Sequence, residues 1–421
     1  MKFNKWTVAL AAVGVVSFAS AAKAEEKTSS AVTALTPTSI SGYVDTSMEW
    51  NFGTGNANVP PYKFNSPSKS DGFNLDVVQL RIEKALDEQE WAAGYRVDLW
   101  FGPDANSLGT QSSLSSGSSD FAVRQAYVAL RAPLGNGLDF KVGVFDSIIG
   151  YESIEAGNNP NFTRSYGHTI EPQTHTGVLA SYRFCDCFSA SVGVADTVNS
   201  SINSRATSGS SGVLSGPFAG LIGSSYATAG DNAYAESYKT YMGSVALTAP
   251  DSMGFLSGST LYGGAVNGYN NSVAGTGAGM PQRSFYVGST MATPIKELRF
   301  GVAWDYLDVQ TWYATSSGST HVDGTAWSVA GYLSYQATEK LSFHSRCEYV
   351  DATIEAPSGL HADILAITGT VQYDLWKNVI SRLELRWDHS LNDQNIFGGT
   401  TTGTGALGNA WMLAANIIYK F

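Results

Sequence analysis

Apolar and polar residues alternate again and again along this chain, yet nothing after residue 24 approaches the roughly eighteen-residue apolar run of a membrane-spanning helix. A period of two sends successive side chains to opposite faces of an extended strand, so each stretch makes a ribbon with one apolar and one polar face. "VVQLRIEKAL" sets Val78, Leu80 and Ile82 against Gln79, Arg81 and Glu83. "AAGYRVDLWF" sets Tyr95, Val97, Leu99 and Phe101 against Gly94, Arg96 and Asp98, and "ISRLELRWDH" sets Leu383, Leu385 and Trp387 against Arg382, Glu384, Arg386 and Asp388. About sixteen such strands are expected, the first at 38–52 and the last at 406–421.

The connections carry a second, independent pattern. Tight links such as "DEQE", "APLGNG", "CDC", "APDSMG" and "WKN" alternate with long Gly/Ser/Asn-rich segments, the longest spanning 199–236. "APDSMG" is read as a tight turn into a strand at 254–267, and 312–321 as one of the long-side loops. Short connections on one side and long ones on the other suit an up-and-down barrel. Strand faces bearing Arg, Glu and Asp are costly in a dry core and tolerable along a water-filled lumen. The opposite faces carry Val, Leu, Phe and Trp, with Trp91, Trp100, Trp376 and Tyr373 near strand ends where an interfacial aromatic girdle belongs. A large soluble all-β protein is the competing class. The number of strands, with no helices to cover them, favours an all-β transmembrane antiparallel up-and-down barrel with short periplasmic turns and long extracellular loops.

Both ends of the chain fit that compartment. Lys2 and Lys5, the apolar stretch "TVALAAVGVVSFA" and Ala22-Lys23-Ala24 form a secretory signal peptide over residues 1–24. A short periplasmic segment, 25–37, and a barrel, 38–421, are expected after it. Cleavage would remove three lysines and no acids, taking the formal charge from −11 to −14, which argues against nucleic-acid partners. The chain stays strictly alternating to its end, where Trp411, Leu413, Ala415, Ile417, Tyr419 and Phe421 share one face. A closed barrel explains this, since the last strand must pair with the first. Cys185, Cys187 and Cys347 are too few for a disulfide framework, and the Cys-Asp-Cys pair reads as either a local disulfide or two thiols.

The segments "SGYVDTSMEWNF", "FAVRQAYVALRAPLGNGLDFKVGVFD" and "IIGYES" through "RSYGHTIEPQTHTGVLASYRF" resemble the OmpL-like β-barrel porins of bacterial outer membranes. Likewise Tyr419 and Phe421 resemble the C-terminal signal by which that class is recognised by the barrel assembly machinery. The resemblance implies a non-enzymatic porin among outer-membrane lipids in a Gram-negative-type bacterium, passing small polar solutes and ions by passive diffusion, and by analogy a homotrimer. A non-conducting barrel serving as a receptor or structural sheath is the alternative, and a barrel-borne enzyme would need a constellation that six scattered histidines do not supply.

General porins resemble one another in folding the loop between the fifth and sixth strands into the lumen. Here that loop contains Glu152, Glu155 and Glu171, with Arg164 and His168 nearby. It reads as an acidic constriction rim, or as an ordinary solvated loop. Counting from the short-turn end places Arg81, Arg96, Arg346 and Arg386 near mid-height on the polar face, Lys141 slightly lower, and Arg131, Arg183, Arg299 and Arg382 near the periplasmic mouth. Such a wall would set a transverse field across an aqueous gap, although pairing with same-face carboxylates, Arg81 with Glu83 or Arg386 with Asp388, is a second reading.

No metal or cofactor is expected. "GTGALG" at 403–408 lacks a following helix, there is no HExxH or CxxCH motif, and no spaced Ca²⁺ loop is visible. His344 is read as lumen-lining, and His389 as ending an inward face beside Asp388.

Overall fold

The computed structural model describes residues 38–421 except 54, 111–118, 207–228, 231–237, 271–274, 277–280, 316–317, 356–359 and 393. The signal peptide at 1–24, the segment 25–37 and most of the long loop at 199–236 lie outside the described residues.

Sixteen antiparallel strands close into one barrel. They are β1 (Ser39–Phe52), β2 (Gly72–Lys84), β3 (Ala93–Phe101), β4 (Phe121–Ala132), β5 (Leu138–Asp146), β6 (Thr174–Cys185), β7 (Phe188–Ala195), β8 (Thr240–Thr248), β9 (Thr260–Tyr269), β10 (Pro281–Ala292), β11 (Leu298–Thr315), β12 (Gly318–Gln336), β13 (Leu341–Ile354), β14 (Leu360–Trp376), β15 (Val379–Ser390) and β16 (Asn409–Lys420). Each strand pairs with its neighbours in sequence, and β16 returns to β1 in a register running from Tyr43 opposite Lys420 to Phe52 opposite Trp411. Phe421 extends the seam by one pair: its N–H donates to Gly42 O (3.0 Å), and Gly42 N–H donates to Phe421 O (2.9 Å). The ladder therefore has no free edge at its closure.

The two faces are inverted relative to a soluble domain. Val128, Leu130, Val192, Leu261, Val287, Leu383, Leu385 and Ile417 stand exposed on the outside, whereas Arg124, Arg346, Glu348, Glu384, Arg386 and Asp388 are buried inside. An apolar belt passing right round a barrel far exceeds the patches a water-facing surface carries and needs hydrocarbon against it. Trp91 and Trp376 are 76% and 72% exposed near the short-turn end, as expected of girdle residues, and Tyr373 also points outward.

Trp100 does not belong with them. It shares the inward face of Arg96 and Asp98, is fully buried, donates from Nε1 to Gln79 Oε1 (2.7 Å) and packs on Phe64. Strand parity overrides position along the strand. His389 is displaced for the same reason: it lies on the outward row with Trp387, stacked on that ring, rather than on the face of Asp388.

Two connections also differ from expectation. The segment after β8 is an eleven-residue turn, 249–259, containing the 3₁₀ stretch Asp251–Leu256, so β9 starts at Thr260 rather than at 254. Pro250 ends the preceding strand, and Gly254, at φ 62°, breaks the extended path. The described residues of 312–321 are strand rather than loop: β11 and β12 pair up to Thr315 opposite Gly318.

Two bulges interrupt the ladder on the charged side. Asp76 is the extra residue where the β1–β2 register shifts, and Arg124 is the extra residue between β3 and β4. Each bulge turns one additional charged side chain inward.

Candidate functional site

The connection 147–173 leaves β5 at the long-loop end, bends inward and reaches across the lumen to β13–β15 before rejoining β6. Its core is the helix α1 (Tyr166–Ile170), capped by Ser165, whose Oγ accepts the His168 N–H (3.0 Å). Gly150, at φ 119°, packs its α-carbon against the Glu171 carboxylate, where any larger residue would collide. Ile148 and Ile149 join Phe145, Leu179, Tyr286 and Tyr332 in an apolar cluster, and Tyr151 stacks on Tyr332 at 4.2 Å between centroids.

Glu155 meets the first group of wall cations. It receives a hydrogen bond from Arg124 Nη1 (2.7 Å) and one from Arg96 Nη2 (3.2 Å), and it pairs directly with Arg81. Asp98 lies beneath the same three guanidiniums, at 2.8 Å from Arg81 Nε, 2.8 Å from Arg96 Nη2 and 3.0 Å from Arg124 Nη1, and Arg124 also pairs with Asp146. Burial alone would raise the Glu155 carboxyl, but Arg124, Arg81 and Arg96 outweigh it and hold it at about 2.

The far wall holds the other end of the loop. Arg346 donates to Glu348 (2.9 Å), Glu152 (3.0 Å), the Thr163 carbonyl (2.8 Å) and the Arg164 carbonyl (3.1 Å). Arg386 is chelated by Asp388 (2.8 and 2.9 Å), donates to the Arg164 carbonyl (2.8 Å) and lies 4.0 Å over the Tyr62 ring. Glu384 accepts the N–H groups of Phe162 (2.6 Å) and Thr163 (2.9 Å), and Tyr166 donates from its backbone to Glu348 (2.6 Å) and from its hydroxyl to Asp388 (2.8 Å). Backbone groups with no secondary-structure partner are thus satisfied by charged side chains of β13 and β15, or of the loop itself, where the Ser165 N–H donates to Glu152 (2.9 Å).

Some of the residues expected to face one another across water are therefore in contact: Arg81 and Arg96 with Glu155, and Arg346 with Glu152. Arg386 pairs with Asp388 as the same-face reading has it, but Arg81 turns to Asp98 and Glu155 rather than to Glu83, which lies 3.9 Å from Arg96. Lys141 sits 5.0 Å over the Tyr127 ring. Arg164 braces its own loop, donating to the Ile154 and Phe162 carbonyls. Glu171 closes the loop beside His168 (3.5 Å), and burial together with the neighbouring Asp305 carboxylate raises its carboxyl. Arg382, expected at the mouth, is buried and donates to the Ala156 (3.2 Å) and Asn159 (2.6 Å) carbonyls. His344 lies in the wall between Ser342 and Ser334.

Several contributors escaped the sequence reading. Arg124 and Asp76 are the bulged residues, and the signal for them was a break in alternation: "RQ" at Arg124–Gln125 and "DVV" at Asp76–Val78. Tyr62 and Lys69 come from the loop after β1, Lys69 spanning Asp76 and Asp104 at 2.7 Å each; no local pattern marks that loop as inward. Cys185, Cys187 and Cys347 are free thiols.

Two sets of groups differ in access to water. Arg346, Arg386, Glu348 and Glu152 have side chains at most 2% exposed, while Arg81, Arg96 and Glu155 retain 18%, 14% and 12%. A cavity of about 20 Å³, room for one water, lies within the loop among Ser147, Glu152, His168, Glu171 and Gln173.

Known barrels share this architecture. Salmonella typhi OmpF in complex with daunomycin superposes with a TM-score of 0.54 at 12% identity, covering 91% of this chain and 97% of that one. An anion-selective porin from Comamonas acidovorans gives 0.52 at 12% identity over 91% and 99%, and the trimer form of OmpT from Vibrio cholerae 0.51 at 14% over 91% and 99%. At such identities the likeness is one of fold. No curated protein matches the chain. A family model described as "Putative beta-barrel porin-2, OmpL-like" matches residues 37–421, the whole barrel with its seam and inward loop. The chain belongs to this OmpL-like β-barrel porin family and is a porin-type barrel of the bacterial outer membrane.

Proposed function

We propose that the barrel is a non-enzymatic, water-filled channel for passive diffusion of small polar solutes and ions, with the loop 147–173 setting its narrowest section. The observation that carries this is the loop's span: Glu155 is held by β2, β3 and β4, and Thr163–Tyr166 by β13 and β15. In this reading Arg81, Arg96, Lys141, Arg346 and Arg386 line the pore wall, and Glu152, Glu155, Arg164 and Glu171 form the constriction loop. The difference in exposure divides their roles. Arg346, Arg386 and Glu152 hold the loop; Arg81, Arg96 and Glu155 are the charges a permeating ion meets. The route is narrow, and compact polar solutes are favoured over apolar ones.

A non-conducting barrel, a receptor or a structural sheath, is the second reading, favoured by the dense apolar packing of Ile148, Ile149, Tyr286 and Tyr332 inside the lumen. Purified protein in a planar bilayer separates the two: small stepwise openings support the channel, and a correctly folded but silent barrel refutes it. Export through a cleaved signal peptide, handling by the barrel assembly machinery and a homotrimeric state complete the proposal, the last tested by cross-linking in native membranes.

A further inference from the structure

Outside the lumen, β13 and β14 bring three metal-ligating side chains together near their long-loop ends. Asp351 stands directly opposite Asp363 in the ladder, and His361 lies one outward position further along β14. Their neighbours Ala352, Ala362 and Ile364 are buried on the inward face, so all three project from the barrel's outer surface. His361 Nε2 is 3.0 Å from Asp351 Oδ2 and 3.1 Å from Asp363 Oδ1, and one donor atom from each residue lies within 4.8 Å of the others.

We propose that Asp351, His361 and Asp363 form a binding site for a borderline divalent metal ion of the Zn²⁺ class. Zinc–ligand bonds of about 2.0–2.2 Å put neighbouring tetrahedral donors roughly 3.3–3.5 Å apart, so the observed N···O separations need to widen by only a few tenths of an ångström. An imidazole in the donor set selects Zn²⁺, Cu²⁺ or Ni²⁺ over Ca²⁺ and Mg²⁺, which take oxygen ligands. Two carboxylates directly opposite on adjacent strands repel, and among the described residues neither is paired with a lysine or arginine. A divalent ion removes that repulsion.

The surroundings orient the ligands as an outer shell does. Tyr349 donates its hydroxyl to Asp363 Oδ1 (3.1 Å), which holds that carboxylate in place. Leu391 N–H donates to the Asp363 carbonyl (2.9 Å), and Asn392 Nδ2 to the His361 carbonyl (3.1 Å), fixing this part of β14. Three protein ligands leave a fourth position on the outside for water or an external donor. No sequence motif announces the site, because its spacing is set by the β13–β14 register and not by a local repeat.

The competing arrangement is a protonated His361 bridging the two carboxylates without metal. Full-length protein folded in detergent and stripped with EDTA is titrated calorimetrically with ZnCl₂ at about pH 7.5, with bound metal counted by mass spectrometry. One ion per chain is expected, with affinity at least about tenfold lower in Asp351→Asn and His361→Ala and unchanged in His389→Ala. Heat-modifiable migration checks that each variant is folded. The site is overturned if wild-type protein binds no Zn²⁺ at about 1 mM, or if folded Asp351→Asn and His361→Ala bind it as tightly as wild type.

Discussion

Replacing Arg346 with methionine removes the charge around which the far end of the inward loop is organised. Its side chain is fully buried and makes five hydrogen bonds of 3.1 Å or shorter, to Glu348, Glu152, the Thr163 carbonyl and hydroxyl and the Arg164 carbonyl. Arg346→Met leaves the carboxylates of Glu348 and Glu152 without this guanidinium and the two carbonyls one donor short. Breaking a buried ion pair by deleting one partner costs about 3–5 kcal/mol. At 1.4 kcal/mol per factor of ten, the docked loop loses roughly 10²- to 10³·⁵-fold in preference over the undocked one. The barrel ladder contains none of these bonds and stays heat-modifiable. Trypsin reports the difference: the buried Arg164 peptide resists cleavage in the wild-type barrel and becomes a cut site in the variant, read by fragment mass, with increased open-channel current noise alongside. The triple variant Arg346→Met, Glu348→Gln, Glu152→Gln, which removes the stranded charges, should recover part of the protection. A folded Arg346→Met barrel with Arg164 as protected as in wild type would refute the view that this network holds the loop.

Glu155→Gln should move the reversal potential in a salt gradient toward anions: Arg81, Arg96 and Arg124 are paired with Asp98, Asp146 and Glu155, with Glu83 beside Arg96, so the change makes the cluster one charge more positive within about one Debye length of the path. The shift should fade as salt rises, and Asp251→Asn in the short turn after β8 should produce none. Glu152→Gln, whose side chain is 2% exposed, should shift the potential less and raise the current noise more. For pH, Glu155 is held at about 2 against an ordinary 4.5, so its anchoring is fully present above about pH 4.5 and is lost as pH falls toward 2; current noise should be flat from about pH 7 to 5 and rise below about 4. Deleting Phe421 removes the two hydrogen bonds to Gly42 and the terminal aromatic, and should lower the amount of heat-modifiable outer-membrane protein while export across the inner membrane continues, measured by fractionation.

The strand order, the membership of each face and the seam at Phe421 were all legible in the linear pattern. Alternation is a local property: once Leu383, Leu385 and Trp387 face lipid, Arg382, Glu384, Arg386 and Asp388 must face inward, whatever the rest of the chain does. The errors over Trp100 and His389 came from setting strand position or a neighbour's role above that parity. The failures at 249–259 and 312–321 lay in connections, where alternation either stops, as at Pro250, or continues without a visible end. The site itself was legible only in its parts list. Glu155 with Arg81, and Glu152 with Arg346, are 74 and 194 residues apart. Nothing in the chain between them records that they meet, because the loop's course depends on which buried carboxylates and guanidiniums satisfy its backbone once the barrel has closed around it. The alternating pattern by itself determined a barrel with a charged interior; which of those charges became anchors, and which kept contact with water, was decided only when the tertiary fold brought them within hydrogen-bond reach.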